Sequence, residues 1–179
     1  MMVSAFKFCP LCKYSLRWNK VDGRERLVCR KCGWINYQNP LPVAVCAVTT
    51  ADGKMLLGKR VQDPGKGKWA LPGGFIEINE DPKKACLREL KEETNLEGKI
   101  TGLVGVYPRK TKISGSLIVI GYTVSIIKED ILVNRELSEA KFFNRKDLPH
   151  VPFLVHRKII EKSFEDFAKK RYVKQMCVT

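Results

Sequence analysis

The chain has 179 residues, 44% hydrophobic and 29% charged, which sets aside a disordered protein and leaves room for one ordinary domain plus a small appendage. No apolar run approaches the roughly 20 residues that span a bilayer. The start "MMVSAFKFCPLC" lacks the apolar stretch of a signal peptide, so the expected location is the cytosol, with no membrane partner. The 33 Lys and Arg outnumber 19 Asp and Glu, a formal +14; this suits a polyanionic partner and equally suits plain solubility.

The first unit, residues 1–39, is dominated by two cysteine pairs, Cys9 and Cys12 in "CPLC" and Cys29 and Cys32 in "CRKC", with Asn19, Asp22 and Gly23 as turn residues between them. Sixteen residues separate Cys12 from Cys29, a spacing that fits a four-thiolate structural Zn²⁺ site. A rubredoxin-like iron site or a pair of redox dithiols remain alternatives. Such a closed site builds structure rather than catalyses, and so short a segment has too little core to fold without a staple. Bound zinc takes the formal charge from +14 to about +12. Cys46, Cys86 and Cys177 read as unpaired thiols in a reducing compartment.

"NPLP" ends this unit, and the second is expected over residues 40–179. "PVAVCAVTT" reads as a buried strand, "ADGK" as a turn and "KMLLGKR" as the second strand of a hairpin. A glycine- and lysine-rich loop and "WALPGGFIEINE" lead to a helix capped by Asp81 with Pro82 at its first position. Further strands are expected at "KITGLVGVYP", "SLIVIGYTVSII" and "EAKFF". A C-terminal helix follows, with Phe153, Ile160, Phe164, Phe167 and Tyr172 at helical intervals. Strands flanked by two helices imply a mixed sheet sandwiched between them.

On the first helix Glu89, Glu92 and Glu93 stand at i, i+3 and i+4, on one face. Their mutual repulsion, in the half of the helix where the macrodipole also disfavours anions, calls for a counter-charge. Lys91 points elsewhere and Arg88 is expected to neutralise one charge at most. A divalent cation, Mg²⁺ or Mn²⁺, would supply the rest through hard oxygen ligands. The "PGGF" loop could add a carbonyl from Gly74 or let a phosphate approach closely. On the triplet alone, a solvated, salt-bridged surface accounts for it as well.

The wider stretch runs Gly74, five residues, Glu80, seven residues, then Arg88-Glu89-Leu90-x-Glu92-Glu93-x-Asn95-Leu96. This resembles the Nudix box, G-x5-E-x7-R-E-U-x-E-E-x-G-U, with Asn95 in place of the final glycine. Asparagine tolerates the left-handed conformation a helix end commonly requires, so the departure preserves the helix terminus. The resemblance, over about residues 41 to 165, implies an α/β fold: a Nudix α/β/α sandwich with a mixed sheet, here behind a small N-terminal zinc ribbon. It further implies metal-dependent hydrolysis of a nucleoside diphosphate linked to another moiety. Carried over by position, Glu89, Glu92 and Glu93 ligate the metal, Glu80 assists from behind or through water, and Arg88 orients a neighbouring carboxylate. The general base varies in the family, and Glu136 and Glu139 are candidates as well as surface charges.

A zinc ribbon ahead of such a domain resembles the NADH pyrophosphatase branch and related ADP-ribose or FAD pyrophosphatases. "VGVYPRKTKISGS" stands where the NADH enzymes carry "SQPWPFPxS", which tilts the expectation toward ADP-ribose or another adenine dinucleotide. Arg60, Lys66 and Lys68 are candidates for phosphate contact or solvated charge. Tyr107 and Arg109 lie where relatives often touch substrate. Trp69 and His156 read as packed residues. The ribbon is expected to serve folding, homodimer formation or substrate enclosure. The rival readings are a nucleic-acid-binding or regulatory module and a hydrolase of oxidised nucleoside triphosphates.

Overall fold

The computed structural model describes residues 6–111, 115–128 and 130–176. The chain divides into two compact units, Met1–Pro40 and Leu41–Thr179.

The smaller unit is a three-stranded antiparallel sheet of β1 (Leu16–Val21), β2 (Arg24–Cys29) and β3 (Ile35–Asn36), in that order. Its core is small: Cys9, Leu16, Leu27 and Cys29 are buried, with Cys12 and Trp34 packed against them. Two matching turns present the sulfurs. Lys13 N–H donates to Cys9 O and Gly33 N–H donates to Cys29 O, each at 2.9 Å.

The larger unit is built on β4 (Leu41–Thr49), β5 (Met55–Arg60), β6 (Trp69–Ala70), β7 (Gly73–Phe75), β8 (Glu97–Lys110), β9 (Ser116–Lys128) and β10 (Leu137–Phe143). The main path of the sheet runs β10-β5-β4-β9-β8, with the β4–β9 pair parallel and the others antiparallel. Two helices, α1 (Pro82–Thr94) and α2 (Leu154–Met176), cover it. Strand alternation sorts the core into two layers. Ala44, Cys46, Val48, Leu56, Tyr122 and Val124 pack with Ala85, Cys86 and Leu90 of α1. Val45, Ala47, Met55, Leu57, Leu117 and Val119 pack with Val155, Ile159, Ile160 and Phe164 of α2. Burial on both faces is why β4 reads as a continuous apolar run. No helix among the described residues is long and apolar enough to cross a membrane.

The expected hairpin of β4 and β5 is joined by a single registered pair, Thr49↔Met55. The segment from Trp69 to Phe75 takes the remaining edges: β6 pairs with β5, and β7 pairs with Val43 to Val45 of β4. This wedge carries the glycine loop into the sheet. The C-terminal helix begins one residue past Phe153, whose ring still packs against the core that holds Val155, Ile159, Ile160 and Phe164. The Tyr172 side chain and Cys177 lie outside the described residues.

Candidate active site

Helix α1 starts where its sequence dictates. Asp81 Oδ1 accepts from the N–H groups of Lys83 at 2.8 Å and Lys84 at 3.2 Å, and Pro82 opens the first turn. It ends at Asn95, whose φ of 61° is left-handed and whose N–H donates to Lys91 O. Between these caps, Arg88, Glu89 and Glu93 face β7, and Glu92 stands beside Arg88.

Arg88 reaches further than the sequence suggested. It donates to both oxygens of Glu80 at 2.7 and 2.9 Å, to Glu89 at 2.8 Å and to Glu92 at 3.1 Å. It also donates to the Phe75 carbonyl at 3.0 Å. One guanidinium is thus shared among three carboxylates, which leaves the face strongly anionic. Lys91 turns away to Glu97, at 2.6 Å.

Glu93 is only 5% exposed, and one oxygen accepts from Gly73 N–H at 3.0 Å. Burial, opposed by that N–H, together with the charges of Glu89 and Glu136 pushes Glu93 up to about 8. Burial raises Glu89 as well, against the pull of Arg88. Glu80 moves the other way: the Arg88 hydrogen bonds, and then the Glu77 N–H, bring it down to about 2. Two carboxylates that cost free energy to ionise, beside an exposed third, form a donor set suited to a hard divalent cation.

Two adjacent glycines shape the loop opposite. At Gly73, with φ +147°, a Cβ would strike the backbone of β4, 2.8 Å from Val45 Cα. At Gly74 a Cβ would enter the space of the Glu89 carboxylate. Gly73 lets the loop lie close to β4, and Gly74 lets its backbone lie close to the acidic face.

The two candidate bases separate. Glu136 repels both Glu89 and Glu93, whereas Glu139 is paired with Lys141, which lowers its carboxyl. Arg60 and Arg109 come together over the Phe153 ring, at 6.0 and 5.3 Å from its centroid. His156 lies 5.2 Å from the same ring and accepts from Leu71 N–H at 3.1 Å through Nδ1. Burial, then Arg109 and Arg60, push this imidazole down to about 3, so it is neutral. Burial, and then the charge of Arg60, also lower Arg109, so the two cations repel one another. Arg60 in turn favours the charged form of Glu93, so the cationic cluster borders the carboxylate face. Tyr107 packs instead against the α2-side core, and Trp69 stacks edge-on to Phe143 at 5.0 Å. Phe153, Gly73 and the Phe75 carbonyl were not singled out from the sequence as site residues. Only "PGGF" carried a local signal; Phe153 reads as one more apolar helix position.

In the smaller unit the four sulfurs of Cys9, Cys12, Cys29 and Cys32 lie within 4.8 Å of one another. Cys9–Cys32 is 3.5 Å and Cys12–Cys29 is 3.4 Å, close to the roughly 3.8 Å edge of a tetrahedron with Zn–S bonds of about 2.3 Å. Among the described residues this is the one group of three or more potential ligands gathered so tightly.

The family model described as NUDIX domain matches residues 39–164, and the zinc-ribbon model described as Nudix N-terminal matches residues 7–38. The chain is 40% identical over 120 residues to the ADP-ribose pyrophosphatase of Methanocaldococcus jannaschii, covering 66% of this chain and 70% of that protein. It is 27% identical over 179 residues to the NAD-capped RNA hydrolase NudC of Vibrio atlanticus, covering 97% of this chain but 63% of that protein. The chain thus spans less than two thirds of the length of this second relative. The crystal structure of a NUDIX hydrolase from Nitrosomonas europaea superposes with a TM-score of 0.79 at 30% identity, covering 90% of this chain and 92% of that one. The chain belongs to the NUDIX domain family, as a Nudix hydrolase with an N-terminal zinc ribbon.

Proposed function

We propose that the chain is a Mg²⁺- or Mn²⁺-dependent pyrophosphatase that cleaves the diphosphate of an adenine nucleotide derivative, with ADP-ribose the first candidate and FAD and NADH the next. The observation that carries this reading is the shared acidic face of α1, where Glu89 and Glu93 are held partly or fully out of water beside Glu92. Glu89, Glu92 and Glu93, with the Gly74 carbonyl, would hold the cation. Bound there, it supplies neutralisation of the diphosphate and of its developing leaving oxygen. Arg88 keeps Glu89 in place and is itself fixed by Glu80. Glu136, facing the same carboxylates, takes the proton of the attacking water. Arg60 and Arg109, beside Phe153, bind the substrate's outer phosphate oxygens. The 40% identity to an ADP-ribose pyrophosphatase supports the choice of substrate.

The match across 97% of this chain to an NAD-capped RNA hydrolase favours a second reading, in which the dinucleotide is the 5′ cap of an RNA. Zn²⁺ held by Cys9, Cys12, Cys29 and Cys32 is structural. The free thiols Cys46 and Cys86 suit a reducing cytosol.

A panel of ADP-ribose, FAD, NADH, nucleoside triphosphates and NAD-capped RNA, each with Mg²⁺ or Mn²⁺, tests the proposal. Cleavage of ADP-ribose to AMP and ribose 5-phosphate is expected. Turnover of triphosphates alone, or of nothing, contradicts it.

A further inference from the structure

The ribbon has a second surface that its metal site does not explain. Residues 1–40 carry eight Lys or Arg and two acids, Asp22 and Glu25. The strand register sorts these charges by face. Leu16, Trp18 and Lys20 of β1 share a face with Glu25, Leu27 and Cys29 of β2, because Leu16↔Cys29, Trp18↔Leu27 and Lys20↔Glu25 are paired. That face carries the buried core residues Leu16, Leu27 and Cys29. The opposite, outer face carries Arg17, Asn19 and Val21 of β1, then Arg24, Arg26 and Val28 of β2, then Ile35 of β3. Tyr37, one step past β3, joins it through Arg26, whose guanidinium lies 4.6 Å from the Tyr37 ring centroid. The outer face therefore holds three arginines and no acid, since Glu25 is on the core side and Asp22 is in the turn.

Two details give this face the character of a binding surface. Tyr37 is 49% exposed although it is a large aromatic. Arg26 Nε, buried beside it, is the one buried side-chain nitrogen or oxygen among the described residues without a hydrogen-bond partner. A buried guanidinium donor without an acceptor costs free energy, which an incoming oxygen would recover once the side chain turns outward. Arginine fits phosphate in a planar, bidentate fashion and also stacks on rings. A sheet face with an exposed ring beside such donors offers stacking to an unpaired base and charge to its backbone.

We propose that the outer face of the ribbon sheet, formed by Arg17, Arg24, Arg26 and Tyr37, binds single-stranded polynucleotide. A base stacks on Tyr37 within reach of Arg26, and Arg17 and Arg24 meet the flanking phosphates. Single strands are favoured over duplexes because only unpaired bases present a free ring face to Tyr37. The inference is independent of which diphosphate the larger unit cleaves.

Fluorescence anisotropy of the full-length, zinc-loaded protein with a short labelled single-stranded RNA of mixed sequence tests it. The same sequence as single-stranded DNA, the RNA duplex and anionic phospholipid vesicles serve as comparison arms. Saturable, salt-dependent binding of the single strands is expected, with the RNA and DNA arms showing whether the ribose hydroxyl contributes. R26A/Y37A should weaken binding about tenfold or more, and R17A/R24A should lower the salt slope by about 1.4. Both variants should retain bound zinc and unchanged ADP-ribose turnover. Three results would each overturn the proposal: no saturable binding of single strands, equal or tighter binding of duplex or vesicles, or wild-type binding by both variants.

Discussion

Arg88 holds Glu80 by both carboxylate oxygens, Nε to Oε1 at 2.7 Å and Nη2 to Oε2 at 2.9 Å. The same guanidinium reaches on to Glu89 at 2.8 Å, so Glu80 fixes the arginine and the arginine fixes a carboxylate of the acidic face. Removing one charge from this chain leaves the acidic face intact but loosens it. Glu80→Gln is expected to cost about 10–100-fold in Mg²⁺ affinity or turnover, as loss of a group behind a metal ligand does. A Mg²⁺ titration of the rate reads this directly, and an unchanged midpoint and maximal rate would remove Glu80 from the positioning role.

The two loop glycines should fail in different ways. A Cβ at Gly74 meets the movable end of the Glu89 side chain, whereas a Cβ at Gly73 meets the backbone of β4. Gly74→Ala should therefore fold with nearly wild-type melting and lose most activity. Gly73→Ala adds backbone strain of about 1–3 kcal/mol to that clash and should melt several degrees lower. Thermal melts set beside turnover separate the two, and a Gly74→Ala protein with full activity would place Glu89 outside the reaction.

Stability should respond to pH through two groups of opposite sign. Glu93, ordinarily near 4.5, sits at about 8 in the folded protein, so its stabilisation is complete below pH 4.5 and is lost as pH rises through 8. Mg²⁺ should reverse this alkaline loss by favouring the carboxylate. His156, ordinarily near 6.5, sits at about 3, so its contribution is present above pH 6.5 and is lost as pH falls toward 3. Denaturant midpoints across pH, with and without Mg²⁺, test both limbs. In Glu93→Gln the alkaline decline should shrink, and in His156→Gln the acid decline should.

Thiol chemistry should divide the cysteines by environment. Cys46 of β4 and Cys86 of α1 are fully buried between the strand and the helix, and burial with the neighbouring Cys86 raises the Cys46 thiol well above its usual range. Both should resist alkylation in the native protein. The ribbon thiols should be protected by zinc and become reactive when a chelator removes it. Mass-spectrometric mapping of alkylated sites checks this, and fast native labelling of Cys46 would contradict the packing of α1 on β4.

The parts of this molecule that were legible in the sequence are those set by local rules. Asp81, Pro82 and Asn95 mark the ends of α1 because capping depends on neighbours within one turn, and the i, i+3, i+4 spacing puts the glutamates on one face. The cysteine turns are legible for the same reason. The β7 wedge between β4 and β5 was not, since Gly73 and Gly74 pair with residues some thirty positions earlier. Nor was the Arg60–Arg109–Phe153 cluster, assembled from three distant segments. Phe153 fits the period of the α2 stripe and does pack against that core, but nothing local told that its ring also meets two arginines. Arg88 was underrated because its reach to Glu80 depends on the path of the loop from Phe75 to Glu80.

The central claim is that the carboxylates of α1 act by holding a divalent cation. It is tested most directly by the Mg²⁺ dependence of ADP-ribose hydrolysis in the wild-type protein and in E92Q/E93Q. The account predicts activity that requires Mg²⁺ or Mn²⁺ and falls about a thousandfold or more in the variant, the several kcal/mol that metal stabilisation supplies. Its folding and zinc content should be preserved. Metal-independent cleavage, or a folded variant as active as the wild type, would contradict it.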